Sequence, residues 1–566
     1  MKQNGYCFMS ISNSGLIAGC IIFITLCHNA NASTAHPVSN QAEQDRAREA
    51  SLNPQQQQYQ PSQINSAEEK IIFPEENNCK YINEINVESE NNELTQRLLK
   101  KIIFQAKSKC LGIEGIRLLA RTMQNELIAK GYITSLIDVP SQSLDNGILR
   151  LTLTYGKIGH IAYSADEPVK KTTLWNSLPF SRDDILRLPD LEQGMANLQR
   201  LPGSSAHMQL VPGQNFSETD IRLTRKMGKP WQISAWLNDA GSRSSGRYLG
   251  GGALYLYDMA SLNDILYVAG GGDVEFNQHD EGNKNSSIYY SIPFGYWNLS
   301  LYAAQSEYLQ QFRGRWSTTD YESKNRYYSA TVTRLLSHTR TQKTSLDAKI
   351  FKNRSRYYFG GSELRVMRKQ NPAWDVTLRH QRYFANKVVE ASVGMQNRLP
   401  WLSSSATPEE KAGLYDKQAR VLHAELQAYM KFAATGDSFT YAPQISAQFS
   451  PDLLSTDNKM NIGNRWTIRG FDGERTLSGN QGWYWRNDFI WDIPSTSQQF
   501  YTGLDIGRLT GSEQYNQGKV LSGAVAGLRG EKFSTQYDIF IGTPVIKPDA
   551  FHSQAFNMGF SLQWRY

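Results

Sequence analysis

From Trp231 to the C-terminus, apolar and polar residues alternate in one short segment after another. Trp231, Ile233, Ala235 and Leu237 fall on one face of an extended chain, and Trp297, Leu299, Leu301 and Ala303 do the same. The clearest case is Leu422, Ala424, Leu426, Ala428, Met430 and Phe432, with His423, Glu425, Gln427 and Lys431 between them. A period of two is the period of a β-strand, so these segments predict strands with one greasy and one wet face. The chain ends on such a strand, F-N-M-G-F-S-L-Q-W-R-Y, with Phe560, Leu562, Trp564 and Tyr566 on its apolar side. About seventeen candidate strands lie between residues 230 and 566. Their boundaries are least sharp at Ser286–Leu301 and Lys369–Leu378.

Upstream the period lengthens. After a short strand at Tyr81–Glu88, Leu94, Leu98 and Ile102 recur at helical spacing; Ile116, Leu119, Ala120, Met123 and Leu127 then mark a second helix, which Gly131 can cap. Strands at Ile133–Val139 and Ile148–Tyr155 flank the turn residues Asp145, Asn146 and Gly147. The order strand, helix, helix, strand, strand returns in the next stretch, with a strand at Ile158–Tyr163, helices at Thr173–Leu178 and Leu191–Leu201, and strands at Ala206–Val211 and Thr219–Thr224. These two repeats, residues 74–156 and 157–229, resemble POTRA domains, the α/β modules of outer-membrane assembly and secretion machines.

Composition decides what the strands build. Mean hydropathy is −0.51, and the only long apolar run, Leu16–Cys27, lies near the N-terminus. A bundle of membrane helices needs several runs of about 20 apolar residues and is excluded. A membrane barrel escapes this test because only alternate residues face lipid, and 29 Tyr, 12 Trp and 43 Gly suit strands with aromatic girdles. A soluble sandwich shares the alternation, but the terminal aromatic strand resembles those that close bacterial outer-membrane barrels. With both modules on the periplasmic side and the last strand ending there, the strand number is even, and sixteen antiparallel strands are expected over residues 230–566.

Lys2, the run Leu16–Cys27 and Ala30-Asn31-Ala32 read as an export signal over residues 1–32. Its removal leaves Cys79 and Cys110, an even number in an oxidising compartment, so either a disulfide or two buried free thiols is expected. Residues 33–53 contain good helix formers with no apolar stripe, and residues 54–73 read as a Gln-rich linker. That helix is either part of a disordered tail or housed in a wet cavity.

One long connection, residues 451–481, breaks the strand rhythm and carries N-I-G-N-R-W-T-I-R-G-F-D-G-E. Arg469, Gly470 and Phe471 match the R-G-[FY] tip of the sixth extracellular loop in POTRA-bearing barrels. Gly503, Asp505 and Gly507 match the family's G-x-D-x-G wall strand, and alternation independently points Asp505 into the lumen. The whole resembles the TpsB branch, the outer-membrane transporters of two-partner secretion, which includes haemolysin, filamentous haemagglutinin and CdiB-like contact-dependent inhibition exporters. The resemblance implies a plug helix at 33–53, an Arg469–Asp505 pair and a secreted exoprotein partner, TpsA- or CdiA-like, recognised through its N-terminal secretion domain. It also implies contact with outer-membrane lipid and with the barrel assembly machinery during biogenesis, and a monomer. Without the family match, Arg469 reads as a solvated loop residue and Asp505 as a pore-lining charge.

Other functions find less support. No H-E-x-x-H, G-x-S-x-G or phosphate-binding G-x-x-x-x-G-K-[ST] occurs, so no cofactor, metal or catalytic residue is expected. A lumen hydrolase would have to assemble from distant groups such as Asp505, His423 and Glu425. A net charge of +7 over 566 residues is too small to indicate nucleic acid. A POTRA-bearing barrel insertase and a solute porin remain as alternatives.

Overall fold

The computed structural model describes residues 70–163, 171–243, 246–274, 281–313, 318–339, 341–402, 406–510 and 520–566. The expected export signal, plug helix and all but the last four residues of the linker lie outside these. Within that remnant, Ile71 and Phe73 already pack on the first module, because an apolar side chain gains more from the core than from solvent.

The first module contains β1 (Lys80–Ile82), β2 (Glu84–Ser89), α1 (Asn92–Ala106), β3 (Lys109–Leu111), α2 (Ile113–Ala129), β4 (Leu136–Asp138) and β5 (Ile148–Thr154). Its sheet runs β2-β5-β4, with β2 parallel to β5. The single strand expected at Tyr81–Glu88 is broken at Asn83, whose amide bonds Gly147 O. Its first part pairs instead with β3, a strand absent from the sequence reading. That short ribbon places Tyr81 opposite Cys110, and a disulfide joins Cys79 to Cys110 across a separation of 31 residues. Closing such a loop contributes about 3.5 kcal/mol on the chain-entropy account. Beside it, Glu76 accepts the amides of Gly112, Glu114 and Gly115 at the start of α2 at 2.7–3.0 Å, a cap supplied from a distance. Desolvation pushes the Glu76 carboxyl up, but the three N–H donors together hold it below the usual carboxylate range. α1 turns its core face one residue further than expected, burying Thr95, Leu99, Ile102 and Ala106. Thr95 sits there because its hydroxyl meets Tyr155 Oη at 2.9 Å. The strand expected at Ile133–Val139 shortens to β4, and residues 139–147 form a longer connection than a tight hairpin.

The second module repeats the topology: β6 (Lys157–Tyr163), α3 (Lys171–Ser177), α4 (Leu188–Leu198), β7 (Ser205–Pro212) and β8 (Glu218–Lys226), in the order β6-β8-β7. α4 begins three residues before the expected Leu191 because Pro189 suits a helix start. Gly131, at φ +94°, lets the first module turn onto the second; a Cβ there would lie 2.7 Å from Pro189 Cδ.

Sixteen strands then close a barrel: β9 (Trp231–Asn238), β10 (Leu249–Tyr257), β11 (Ile265–Asp273), β12 (Glu281–Phe294), β13 (Trp297–Arg313), β14 (Thr318–Thr339), β15 (Gln342–Phe359), β17 (Lys369–Tyr383), β18 (Lys387–Arg398), β19 (Arg420–Ala434), β20 (Asp437–Phe449), β23 (Gln481–Asp492), β24 (Gln498–Thr510), β25 (Val520–Lys532), β26 (Thr535–Ile546) and β27 (Asn557–Arg565). The two-residue β16 (Ser362–Glu363) only folds back on β15. The blurred stretch Ser286–Leu301 is the β12–β13 hairpin turning at Gly295, and Lys369–Leu378 belongs to one strand, β17. Among the described residues no helix is long and apolar enough to cross a membrane; the strands make the crossing. Closure brings β27 beside β9 through the pairs Ser561–Asn238 to Arg565–Ser234, and Lys229 Nζ caps the junction 4.1 Å from the Tyr566 ring centroid.

Candidate functional site

The connection between β20 and β23, the sixth on the side away from the modules, turns back into the barrel. β21 (Met460–Ile462) and β22 (Leu477–Gly479) pair at its base. Ile462, Ile468, Phe471 and Leu477 are buried against Leu509 and Leu521 of the wall and Phe551 of the last loop. Phe471 meets Phe551 edge to face at 5.6 Å between centroids. This apolar packing carries the R-G-F tip to the wall.

There the tip and wall are joined by charge. Arg469 Nε and Nη2 donate to the two oxygens of Asp505 at 2.7 and 2.8 Å, and the Arg469 backbone N–H donates to Oδ2 at 3.0 Å. Asp505 is wholly buried and Arg469 nearly so. A planar guanidinium fits a carboxylate in this two-toothed way, whereas an ammonium does not. A second carboxylate, Asp488 Oδ1, lies 2.6 Å from Nη2 but off the angle of a hydrogen bond, so it acts as charge alone. Burial pulls the Arg469 pKa down, yet Asp505 and Asp488 outweigh it and hold the group above the ordinary arginine value. Arg469 stays charged at every pH a cell meets.

Close approach requires a bare wall. Gly470 has φ +96°, and a Cβ on it would stand 2.5 Å from Thr543 O. A Cβ on Gly503 would lie 2.6 Å from Arg469 Nη2, and one on Gly507 2.7 Å from Ile468 Cδ1. The structure thus brings together Arg469, Gly470, Phe471, Gly503, Asp505 and Gly507. The barrel-closing residues Phe560, Leu562, Trp564 and Tyr566 lie apart from them on β27 and at the C-terminus.

Sequence reasoning missed Gly523, Gly542, Asn487, Asp488 and Asn557. Gly523 faces the Arg469 carbonyl so tightly that a Cβ would fall far inside van der Waals contact, and a Cβ on Gly542 would lie 2.8 Å from Gly470 Cα. Asn557 Nδ2 donates to Gly470 O at 2.8 Å. Asn487 turns its backbone N–H to Asp505 Oδ1 at 3.2 Å, and its side chain donates to Leu504 O at 2.9 Å. The β23–β24 ladder skips Arg486 and Asn487 there, between Trp485–Ile506 and Asp488–Gly503, with its register unchanged. A readable signal existed: Asn487 interrupts the outward row Trp483, Trp485, Phe489, Trp491.

The groups considered for a lumen hydrolase are not assembled. His423 Nε2 lies 2.6 Å from Asp375, Glu425 accepts from Gln427 and Gln444, and Asp505 is occupied by Arg469.

At the opposite end the second module is bolted to the barrel rim. Gly295, in the β12–β13 turn, accepts from Gln193 and Asn197 at 3.2 and 2.8 Å and donates its N–H to Asn176 O at 2.8 Å. Asn176 Nδ2 donates to Pro293 O at 2.9 Å, Tyr296 Oη to Asp190 at 2.5 Å, and Arg225 binds Asn263 of the β10–β11 turn. Buried amides paired to backbone in this way fix orientation, since every lost bond leaves a desolvated group. In each module the outer strands, β2 and β4 or β6 and β7, flank a single central strand.

Comparison with known proteins bears on the architecture. Residues 217–530 match the haemolysin secretion/activation protein ShlB/FhaC/HecB family, residues 81–156 the ShlB-type POTRA domain, and residues 157–212 a further POTRA domain. The outer membrane transporter CdiB-2 of Burkholderia pseudomallei (strain 1026b) is 31% identical over 462 residues, covering 80% of this chain and 78% of that one. The outer membrane transporter CdiB of Dickeya dadantii (strain 3937) is 24% identical, covering 96% and 97%. Among solved structures, CdiB from Acinetobacter baumannii aligns with a TM-score of 0.83 at 26% identity, covering 94% of this chain and 99% of that one.

Proposed function

The chain belongs to the haemolysin secretion/activation family of ShlB, FhaC and HecB, and from that premise we propose that it exports one large partner exoprotein of the CdiA or TpsA kind. It is an outer-membrane transporter of two-partner secretion with its POTRA domains in the periplasm. The observation that carries the reading is the combination of two α/β modules, the second fixed to the rim, and a lumen spanned by a loop pinned at Arg469–Asp505. The modules offer strand edges to an extended segment of the partner; main-chain bonds supply affinity and alternate side-chain pockets supply choice. The wet lumen then carries the unfolded chain outward, and folding outside prevents return. The Arg469–Asp505 pair holds the loop in its resting position and yields during passage. The protein works as a monomer, is inserted by the barrel assembly machinery, and contacts outer-membrane lipid.

Co-expression with neighbouring-gene exoproteins tests the reading: the cognate partner should reach the medium only with this chain, and retention of every candidate in the periplasm would overturn it. In this scheme the helix expected at 33–53 plugs the pore. Deleting Pro37–Leu52 should raise single-channel conductance in planar bilayers several-fold; unchanged conductance would remove the plug.

A further inference from the structure

The lipid-facing wall of β12–β15 carries a feature that export does not use. Counting outward from Arg334, whose guanidinium lies 4.8 Å from the Trp297 ring centroid at the periplasmic edge, the outward residues of β14 are Val332, Ala330 and Tyr328, and then Arg326 and Lys324. On β15 they are Leu346, Ala348 and Ile350, and then Lys352, Arg354 and Arg356. The switch is abrupt. Eight residues separate Arg334 from Arg326, about 26 Å along a strand and about 20 Å in height at the usual barrel tilt. Lys324 and Arg356, two residues further, stand about 25 Å up, so the cations straddle the level where an apolar band of about 25 Å ends, at the outer leaflet.

The register makes the cluster tight. Arg326 stands directly opposite Arg354, and Lys324 opposite Arg356. Like charges in facing positions repel unless an anion lies between them. Local carboxylates serve only part of the group: Lys324 pairs with Glu322 at 3.3 Å, and Arg368 takes Glu363 in a two-toothed pair. Arg326, Arg354 and Arg356 have no carboxylate within ion-pair distance among the described residues, and Arg354 lies in the field of Arg326, Arg356 and Arg368, opposed only by the more distant Glu363. The Nε atoms of Arg354 and Arg356 are shielded from solvent without a hydrogen-bond partner.

Immediately beneath the cations the wall is hollow. A cavity of about 490 Å³ is lined by Ile288, Leu301, Ala303, Tyr328, Ala330 and Ile350, among others. Ala303 and Ala330 form the depression and the larger residues its sides. Lys352 closes the top by donating to Leu402 O at 2.9 Å, and Trp401 beside it is three-quarters exposed. An apolar groove under unneutralised guanidinium groups, at the level of the outer leaflet, matches an acyl chain below a phosphate.

We propose that this face binds the phosphorylated, multi-acylated glycolipid of the outer leaflet, lipopolysaccharide, with an acyl chain in the groove and its phosphates on Arg326, Arg354 and Arg356. Guanidinium is suited to phosphate through paired N–H donors. The inference rests on the outer-membrane reading, not on what is exported.

The test uses the full-length protein in detergent and bis-phosphorylated lipid A as probe, with binding followed by native mass spectrometry. The wild type should bind lipid A, and removing the probe's phosphates should weaken binding roughly tenfold or more. The triple variant Arg326→Gln, Arg354→Gln, Arg356→Gln should show the same loss with intact lipid A, while the corresponding triple Lys variant keeps most of the affinity. Equal binding of intact and dephosphorylated probe by the wild type would overturn the proposal, whether or not the Gln variant folds. Equal binding of phosphatidylglycerol would also overturn it, by showing a general anionic surface. Heat-modifiable migration selects folded material. Export is not read at any step, so a failed exoprotein assay leaves this result interpretable, and the reverse.

Discussion

Arg469→Ala is expected to give a protein that inserts and shows normal heat-modifiable migration but secretes its partner at least about tenfold less well. The side chain supplies both donors to the Asp505 oxygens and the charge facing Asp488. Truncation strands one wholly buried carboxylate and a second close by, a loss of about 3–5 kcal/mol for a broken buried pair. That energy is local to the loop tip, because the strand ladder on either side does not depend on it. The barrel therefore survives and the tip detaches, which protease cleavage between residues 461 and 474 would reveal. Arg469→Lys should fall between, since one ammonium cannot satisfy both oxygens in plane. Undiminished secretion from a well-folded Ala variant would remove the loop from the mechanism.

Gly523→Ala should produce a similar defect by a different route. The added methyl meets the Arg469 carbonyl and then Gly470 Cα, both backbone, so no side chain can rotate away. The tip must lift or β25 must bend. Because every charge is retained, this variant separates contact from electrostatics: loop cleavage and lost secretion should match Arg469→Ala within a few-fold. An unaffected Gly523→Ala protein would mean that the tip does not need the wall at this distance. Gly252, where a Cβ would find its nearest neighbour at 3.6 Å, offers a control on the same barrel.

The barrel was legible because lipid and water impose opposite demands on successive residues, so that Leu422 to Phe432 or Trp297 to Ala303 announce themselves without homologues. The small modules were legible in outline only. The break at Asn83 and the ribbon at Lys109–Leu111 depend on where the disulfide and Gly147 pull the backbone, and three-residue strands carry too little period to be seen. At the loop tip, Arg469 and Asp505 were readable through a family motif and through the lumen-facing register of Asp505. Gly523 and Gly542 were not, because a glycine needed for close approach looks the same in sequence as one tolerated in a strand. Arg326, Arg354 and Arg356 escaped for another reason: on β14 the first, and on β15 the other two, read as ordinary polar residues, and only the pairing of β14 with β15 makes them a group.

Asp239, at the outer end of β9, joins segments that the barrel's topology would otherwise leave independent. It holds Arg465 of the long loop at 2.5 Å, accepts the Phe560 amide of β27 at 2.9 Å, and takes Arg247 at 3.3 Å. One carboxylate therefore acts as a common latch for the inward-folded loop and for the meeting of the first and last staves. Were the loop drawn away, Asp239 would lose Arg465 but keep the Phe560 amide and Arg247, so the seam of the cylinder can stay fastened while its interior admits a polypeptide.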